Sequence, residues 1–412
     1  MTGRKRLHVL KLALLALLLP LSACTSAGPE SAAALPEDFI LGMDISSVLS
    51  LEESDVIFRD ADGTPTDLFA LLAGYGVTHI RVRIWNDPYD AQGHTYGGGG
   101  CDLACACEIG RRAAENGMQL IADFHYSDFW ADPGKQTPPK AWAGMNPDEK
   151  AQALYDFTVQ SLRSLKSSGA SVAMVQLGNE TNAFLCGERD WDSICTLMNA
   201  GARAVREVLP DTLIAVHFTN PEREGSYPEY ARQLDRCGVD YDVFASSWYP
   251  FWHGSLDNLA AVLTDISESW GKRVMVMETS YPYTSEDSDF FANTAGSGTQ
   301  SALPFPYTEQ GQADAFRAVV DTVAGIPGGL GAVYWEGAWI SAGGRSWEEN
   351  RAIWETRGCG WATAYAGDYD PDAGQYWGGS AVDNQAMFRP DGRPLAALDV
   401  FRSPRGTGGN PQ

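Results

Sequence analysis

Eight short runs of apolar and β-branched residues recur from residue 39 onward, and a stretch of helix length follows each run. The runs are FILGMDIS, VTHIRVRIW, MQLIADFHY, SVAMVQLGNE, TLIAVHFTN, YDVFASSWY, RVMVMETSY and LGAVYWEGAW. The helix-length stretches lie at about 67–76, 102–117, 148–168, 190–208, 226–237, 255–270, 309–325 and 394–402. Alternating strands and helices pair in parallel through right-handed crossovers, and eight such units close into a barrel. The sequence therefore predicts an α/β fold, a single (β/α)8 TIM barrel with long loops after strands 7 and 8.

The first residues are typical of an export signal. Arg4, Lys5 and Arg6 precede the apolar run LALLALLLPL, which is too short to span a bilayer as a mature helix. The run ends in LSAC, which resembles the lipobox of bacterial lipoproteins, in which Cys24 carries the lipid after cleavage. The alternative is an ordinary secretory signal cut nearby. We predict a lipoprotein-type signal peptide over 1–23 and a protein that is anchored at the bacterial cell surface or secreted.

The rest of the chain divides into one domain and two short ends. Residues 24–38 are rich in Pro and Ala and indicate a flexible tether. Residues 39–402 contain the eight strand and helix units without an internal repeat or linker, and 403–412 are predicted to be a disordered tail. We expect a single-domain monomer whose only contact with a membrane is the lipid anchor.

Composition restricts the class of partner. The chain has 53 Asp and Glu residues against 30 Lys and Arg, a formal net charge of −23. Without a clustered basic surface, a nucleic-acid partner is excluded. An acidic surface favours a neutral or cationic substrate, although it also simply keeps an exported protein soluble. The 13 Trp, 16 Tyr and 16 Phe residues exceed what a core usually needs and suggest stacking surfaces.

Seven cysteines remain after Cys24, an odd number that cannot pair completely within one chain. Cys101, Cys105 and Cys107 lack a second cluster with zinc-ligand spacing, so the pattern does not indicate a zinc site. Cys186 and Cys195 are spaced to close a small loop, and free thiols are an equal alternative.

Polar residues collect at the carboxyl ends of the predicted strands. Barrel strands are buried on both faces, and their carboxyl ends open onto the face where barrel enzymes carry out chemistry. Glu180 ends the fourth run and Glu278 lies near the end of the seventh. The other strand ends carry Asp44, Arg81, Arg83, Trp85, Asp123, His125, Asn179, His217, Asn220, Trp248, Tyr249, Trp335 and Glu336.

Glu180 and Glu278 suit retaining glycoside hydrolysis. That reaction needs one carboxyl group with a raised pKa as acid/base and a second, ionised carboxylate as nucleophile. An arginine from strand 2 beside the nucleophile would keep it charged. Either glutamate alone could instead form a structural salt bridge, and His125 and His217 suit a structural role as well as substrate contact. Loop tryptophans in DFWADP, PFWHG and GWATAY suggest stacking on sugar rings.

Several longer segments carry a family resemblance. They are GMDISSV, IRVRIWNDPYD, ADFHYSDFWADPGKQTPPKAW, VQLGNETN, HFTNPE, FASSWYPFWHGSLDNL, METSYPYT, YWEGAWI and GGSAVDNQAMF, in this order from about residue 39 to 401. Together they resemble the arabinogalactan endo-β-1,4-galactanases of glycoside hydrolase family 53. The resemblance implies a clan-A barrel, retention of configuration, cleavage of β-1,4-galactan side chains of pectin, and catalysis without a cofactor.

The resemblance also implies residue roles. Glu180 in GNE corresponds to the acid/base and Glu278 in METSY to the nucleophile. The predicted substrate-binding residues are Asp44, Arg83, Trp85, Asp123, His125, Asn179, Tyr249, His253, Trp335 and Trp361. The segment GGGGCDLACACE and the loop SEDSDFFANT depart from the usual family pattern, which leaves chain-length preference open.

The loop after strand 7 contains residues that could bind a calcium ion. Asp287, Asp289, Phe291 and Asn293 alternate as oxygen donors, but the EF-hand glycine and closing glutamate are missing. Spacing alone favours a solvated loop. Some bacterial members of the family resemble this chain here and hold calcium with a segment like SAVDN, which adds Ser380 and Asp383 and implies a structural calcium ion.

Two other functions compete with galactan cleavage. One is a barrel glycosidase that acts on another β-1,4 polysaccharide such as mannan or xylan. The other is a non-catalytic glycan-binding lipoprotein that captures oligosaccharides. The paired carboxylates argue against the latter, because binding alone has no need of an acid placed against a nucleophile.

Overall fold

The computed structural model describes residues 34–343, 346–375 and 377–405, and the predicted signal peptide and Cys24 lie outside these ranges. Eight parallel strands form a closed barrel in sequence order. They are β1 Ile40–Asp44, β2 His79–Ile84, β3 Gln119–Phe124, β4 Val172–Leu177, β5 Leu213–Phe218, β6 Val243–Ser247, β7 Arg273–Thr279 and β8 Gly329–Tyr334. The predicted (β/α)8 barrel is confirmed.

Helices surround the barrel. They are α1 Val48–Glu52, α2 Leu68–Tyr75, α3 Leu103–Glu115, α4 Pro147–Ser168, α5 Trp191–Val208, α6 Ser226–Arg236, α7 Leu256–Trp270, α8 Glu309–Ala324 and α9 Trp347–Arg357. The sequence prediction missed α1, which has only five residues, and α9, which lies in the loop after β8. The last predicted helix is a 3-10 segment, Ala396–Arg402. None of the helices in the described ranges is long and apolar enough to cross a membrane.

Helix ends follow local sequence signals, as α4 illustrates. The side chain of Asn146 accepts from the backbone N–H of Glu149, whose carboxylate accepts in return from the Asn146 N–H. Pro147 occupies the first turn, where its missing N–H costs nothing. The helix ends at Gly169, whose φ of 91° is readily adopted only by glycine.

Side chains fill the interior of the barrel. This inner core consists of Ile40, Ile121, Met174, Ala215, Val243, Ala245, Met275, Met277, Leu330 and Val333. A larger apolar layer lies between the outside of the strands and the helices. Because both strand faces are buried, the strands are continuous apolar runs in sequence, and polar groups are concentrated at their carboxyl ends.

The packed chain extends beyond the predicted domain boundaries at both ends. Leu35 is 2% exposed, and its N–H donates to the carbonyl oxygen of Pro404 at 2.9 Å. Arg405 forms a bridge with Leu35 and donates to the Phe39 carbonyl at 2.8 Å. The end of the predicted tether and the start of the predicted tail therefore pack together at the amino-terminal end of β1, since Leu35 is apolar enough to be buried there.

The seven cysteines of the described chain are free thiols. Cys186 and Cys195 do not close the small loop that their spacing suggested. The Cys195 thiol donates instead toward the carbonyl oxygen of Gln233 at 3.8 Å, across the boundary between α5 and α6.

Candidate active site

One cavity opens at the carboxyl ends of the strands and collects most of the predicted site residues. Nine of them line it: Arg83, His125, Asn179, Glu180, Tyr249, His253, Glu278, Trp335 and Trp361. They come from strand ends and loops distributed around the whole barrel, so only closure of the barrel brings them together.

Glu278 is held by two donors at the end of β7. One carboxylate oxygen lies 2.8 Å from Nη2 of Arg81, and the other accepts from the Tyr249 hydroxyl at 3.1 Å. The pairing of β6 with β7 shifts register between Ser246 and Ser247, so that Ser247 pairs with Glu278. This irregularity sets where the carboxylate stands, and Glu278 remains only 6% exposed.

Arg81 is the strand 2 arginine that contacts the predicted nucleophile. Its guanidinium also donates to Asp44 at 3.0 Å, to Asp123 at 2.9 Å and to the side-chain oxygen of Asn179 at 3.0 Å. Arg81 is fully buried, so its charge acts in a medium that screens it weakly. Arg83, which was predicted as a substrate-binding residue, lines the cavity and pairs with Glu336.

Three predicted substrate-binding residues do not line the cavity. Asp44 and Asp123 are fully buried ligands of Arg81, and the indole N–H of Trp85 donates to Nδ1 of His125 at 3.0 Å. In this structure these three side chains contact neighbouring residues instead of lining the cavity, and their contact with substrate stays a prediction. Charged and aromatic side chains at strand ends follow the same periodicity whether they contact substrate or position other side chains that do. The sequence pattern therefore could not distinguish substrate-binding residues from supporting residues.

The two histidines predicted at strand ends differ in position. His125 lines the cavity, and its Nδ1 faces two donors, the Trp85 indole and the Ala131 N–H. Its proton therefore lies on Nε2, which donates to Asp123 at 3.1 Å. His217 is fully buried below the cavity and bonds Ser247 through Nε2 at 2.9 Å. Burial lowers the pKa of His217 well below its usual value, which keeps the ring neutral.

Glu180 stands on a strained turn at the end of β4. Its φ is 44°, in the left-handed region that non-glycine residues seldom occupy, and it follows Gly178 with φ 82°. A Cβ on Gly178 would lie 2.5 Å from Cγ2 of Thr181, so only glycine fits there. The tight turn points the Glu180 carboxyl group into the cavity.

The environment separates the protonation of the two glutamates. Burial, together with the negative charge of Glu278, raises the pKa of Glu180 to about 8. Burial also raises the pKa of Glu278, but the Arg81 guanidinium opposes that effect. A carboxyl group that keeps its proton near neutral pH thus faces a carboxylate that is paired with a buried cation, which is the division of roles that acid/base and nucleophile require.

Two cavity tryptophans were absent from the predicted residue set. Trp130 stacks on Trp361, with centroids 4.6 Å apart and an interplanar angle of 19°, and Trp252 is 53% exposed. Both lie in loop segments, DFWADP and PFWHG, that the sequence pattern had marked as stacking surfaces. The cavity also contains Asp132, Thr219 and Asn220. Asp132 lies in a loop and follows no strand periodicity, so the sequence did not predict it as a cavity residue.

An acidic cluster lies in the loops after β7 and β8, apart from the glutamate pair. Carboxylate oxygens of Asp287, Asp289 and Asp383 lie within 4.8 Å of one another. Burial and the charge of Asp383 raise the pKa of Asp289 to about 8, which indicates repulsion that a cation would relieve. The backbone N–H groups of Phe291 and Ser380 donate to Asp289 at 2.9 and 2.7 Å.

These acidic residues fit a calcium ion by their chemistry. Three carboxylates offer the hard oxygen ligands that Ca²⁺ prefers. The side-chain oxygen of Asn293 is buried without a hydrogen-bond partner in the described part of the chain, and it would add a fourth ligand.

An eight-stranded parallel barrel with glutamates at the ends of strands 4 and 7, one with a pKa raised to about 8 and one paired with a buried arginine, defines a class of protein. With tryptophans in the same cavity, it is a barrel glycoside hydrolase that uses two carboxyl groups. Comparison with known proteins narrows the class. The sequence profile of glycosyl hydrolase family 53 matches residues 40–401. The chain belongs to this family.

Related sequences agree with that assignment. The chain is 53% identical over 369 residues to the endo-β-1,4-galactanase of Bacillus subtilis strain 168, covering 89% of this chain and 86% of the relative. It is 34% identical to the arabinogalactan endo-β-1,4-galactanase of Cellvibrio japonicus, covering 77% of this chain and 85% of that relative.

Solved structures support the same fold. The family 53 catalytic domain of Ignisphaera aggregans superposes with a TM-score of 0.81 at 34% identity, covering 91% of this chain and 98% of that chain. Native xylanase 10C of Cellvibrio japonicus gives a TM-score of 0.53 at 14% identity, covering 89% and 70%, and shares the barrel fold alone.

Proposed function

We propose that this chain is a retaining endo-β-1,4-galactanase that cleaves internal bonds of galactan and type I arabinogalactan, with Glu180 as acid/base and Glu278 as nucleophile. The observation that carries the proposal is the pair of glutamates in one tryptophan-lined cavity, of which Glu180 has a pKa near 8 and Glu278 contacts Arg81 at 2.8 Å. The galactanase relatives supply the substrate class. Two carboxyl groups suffice for the chemistry, and no cofactor is needed.

In the first step Glu180 protonates the glycosidic oxygen while Glu278 attacks the anomeric carbon. The bond to the leaving sugar breaks, and an ester forms between Glu278 and the remaining galactosyl unit. The Tyr249 hydroxyl and Arg81 hold one oxygen each of the attacking carboxylate and fix its direction. Burial raises the pKa of Tyr249 well above its usual value, so this hydroxyl stays a donor.

In the second step water hydrolyses the ester. Esterification removes the negative charge of Glu278, which is one cause of the raised pKa of Glu180. The pKa of Glu180 therefore falls after the first step, and the newly ionised carboxylate can take a proton from water. Water attacks the anomeric carbon, the ester bond breaks, and the second inversion restores the β configuration.

The substrate assignment is tested by measuring reducing ends released from galactan, mannan and xylan side by side. We expect release from galactan at a rate far above the other two polymers, and none from galactan with the Glu278→Ala variant. Preferential cleavage of mannan or xylan would overturn the substrate, while binding of galactan without any cleavage would indicate a non-catalytic glycan-binding protein.

The pKa of Glu180 predicts the alkaline limit of activity. Glu180 must be protonated in the first step, so activity is present below pH 8 and falls as pH rises through about 8. The measurement is kcat/KM on galacto-oligosaccharides from pH 5 to 10. With an activated aryl galactobioside, Glu180→Ala should lack this alkaline limb, and an unchanged limb in the variant would assign it to another group.

We further propose a structural calcium ion at Asp287, Asp289 and Asp383, with Phe291, Asn293 and Ser380 beside it. Three carboxylates within 4.8 Å support this site, because their mutual repulsion needs a cation to offset it. A bound ion would tie the loop after β7 to the segment that carries Asp383, close to Val382 and Gln385 at the cavity wall. The ion would have no part in the reaction.

Chelation is therefore expected to lower the melting temperature. At a calcium concentration about 100 times its dissociation constant, binding to the folded state alone adds about 2.7 kcal/mol, or about 3–4 °C for a chain of this size. EDTA should lower Tm by that amount and excess calcium should restore it. Asp383→Asn should abolish the difference. An unchanged Tm in EDTA, together with the absence of metal from the purified protein, would contradict the proposed calcium site.

We also propose export and lipid anchoring through Cys24, which lies outside the described residues. Support comes from the sequence, in which Arg4, Lys5 and Arg6 precede the apolar run that ends in LSAC.

Cys24→Ser should release the protein from the membrane fraction of the producing cells. Without the thiol, no lipid can be attached, so the protein should become soluble. Cys107→Ser, which removes a thiol on α3, is the matched control and should stay with the membrane. Equal membrane retention of both variants would argue against the lipobox and favour another mode of retention.

A further inference from the structure

A second buried ion pair lies beside the catalytic one and has no assigned role. Glu336 follows β8, and its carboxylate lies 2.6 Å from Nη2 of Arg83 and accepts from the Ser47 hydroxyl at 2.8 Å. Its φ of 47° places it in the left-handed region, where a glutamate needs support from its surroundings. Both side chains are 1% exposed or less, so this charge pair is shielded from water.

Arg83 links Glu336 to the aromatic wall of the cavity. We define the aromatic wall as Trp130, Trp335 and Trp361. Its guanidinium carbon lies over the Trp130 ring at 4.4 Å from the centroid, and Nη2 also donates to the Gly98 carbonyl at 3.0 Å. The Glu336 carboxylate and the Gly98 carbonyl both hold Nη2 of Arg83, which keeps the guanidinium over the Trp130 ring, and the indole packed on it is held with it.

Trp130 in turn positions Trp361. The Trp130 indole N–H donates to the Trp361 carbonyl at 3.0 Å, and the two rings stack at 4.6 Å. There is no spare room behind them, because a Cβ on Gly98 would lie 2.9 Å from the Trp130 ring. Glu336, Arg83, Trp130 and Trp361 thus form a continuous chain of contacts from the end of β8 to the cavity surface.

The same arrangement separates two arginines that compete for Asp44. Asp44 lies 3.0 Å from Arg81 through one oxygen and 3.6 Å from Arg83 through the other. Glu336 gives Arg83 a closer carboxylate of its own, at 2.6 Å. Asp44 therefore stays with Arg81, and the Arg81 contact to the nucleophile is left undisturbed.

We propose that Glu336 is a positioning residue for substrate binding, which holds Arg83 against Trp130 and so fixes the aromatic wall on which galactosyl units stack. The proposal rests on the proposed galactanase function for the identity of the sugar. Flat aromatic rings bind the apolar faces of sugars, and a wall that is already rigid loses less conformational entropy when the chain binds. Glu336 does not touch the reacting atoms, so its contribution lies in KM rather than kcat.

The test compares Glu336→Gln and Glu336→Ala with the wild type on β-1,4-galactotetraose. Removing the charge frees Arg83, so KM should rise about tenfold while kcat stays within about twofold. Near-UV circular dichroism should lose intensity, because the stacked indoles become mobile. Arg83→Lys keeps the charge but not the planar stacking group, and it should raise KM similarly even if Glu336→Ala fails to fold.

Glu309→Gln is the matched control, since it breaks an exposed glutamate–arginine pair with Arg389, and neither residue lines the cavity. It should change neither KM nor the spectrum. An unchanged KM in folded Glu336→Gln would overturn the proposal, and so would a fall in kcat at constant KM, which would place Glu336 in the catalytic network through Asp44.

Binding is measured separately from cleavage to keep the two proposals distinct. In the Glu278→Ala background, tryptophan fluorescence reports binding of galacto-, manno- and xylo-oligosaccharides without turnover. Weaker binding on adding Glu336→Gln supports the positioning role even if another sugar proves to be the ligand, in which case only the galactanase assignment fails. Equal affinity with and without Glu336→Gln overturns the positioning role, whatever the substrate.

Discussion

Glu278→Ala is expected to lose activity by about 10⁶-fold, on galactan and on an activated aryl galactobioside alike, as when the nucleophile of another covalent catalyst is removed. No ester can form without the carboxylate, and a better leaving group does not replace the missing bond. The measurement is the initial rate on both substrates at a pH near neutrality.

Glu180→Ala is expected to behave differently on the same two substrates. Hydrolysis of galactan should fall by about 10²–10⁴-fold, because the leaving sugar needs a proton. Formation of the ester from the aryl substrate should continue at close to the wild-type rate, since an activated phenolate leaves unprotonated. The second step then slows, so a burst of phenol followed by slow turnover is the expected signature.

The different behaviour of Glu278→Ala and Glu180→Ala on the two substrates assigns the nucleophile and the acid/base. A fluorosugar inactivator should label Glu278 in the wild type, as found by peptide mapping. Label on Glu180 would reverse the assignment. Retained galactan hydrolysis in both variants would show that the ends of β4 and β7 are not the catalytic centre.

Arg81→Met should have the second largest effect, on both stability and pH dependence. Arg81 is fully buried and contacts Asp44, Asp123 and Glu278, so its loss leaves three carboxylates without their shared cation. Breaking a buried ion pair from one side costs about 3–5 kcal/mol of unfolding free energy. Denaturant unfolding should show that loss, whereas Arg389→Met, at an exposed ion pair, should cost less than about 1 kcal/mol.

The pH dependence of Arg81→Met tests the link to catalysis. The Arg81 charge lowers the pKa of Glu278, so its removal raises that pKa further. Glu278 must be ionised to attack, so the acid limb of kcat/KM should move to higher pH while the alkaline limb changes less. Arg81→Lys keeps the charge and should shift the limb less. An unmoved acid limb in folded Arg81→Met would mean that Arg81 serves stability alone.

The barrel could be predicted from the sequence because its signals are local. Each strand is an apolar run of about six residues, and helix ends carry their own signals, such as the Asn146 cap and Gly169 of α4. The same local rules missed α1 and α9, because α1 is short and α9 lies in an irregular loop.

The position of the two glutamates could also be predicted, because the carboxyl ends of barrel strands open onto the face where the cavity lies. The residues that form ion pairs with them were harder to predict. Arg81 and Arg83 lie on the same face of β2, since a strand repeats every two residues, but their positions along it differ by about 6.6 Å. Periodicity therefore could not tell which arginine meets Glu278.

Local sequence thus determined the eight strands, the family resemblance and the two glutamates at the strand ends, because these depend on patterns within single segments. The tertiary structure decided which charges pair. Closure of the barrel and the register shift at Ser247 place Glu278 against Arg81, while Glu336, 58 residues beyond Glu278 in the chain, comes to Arg83. Buried ion pairs are set by distances of a few ångströms between distant segments, and no local pattern encodes those distances.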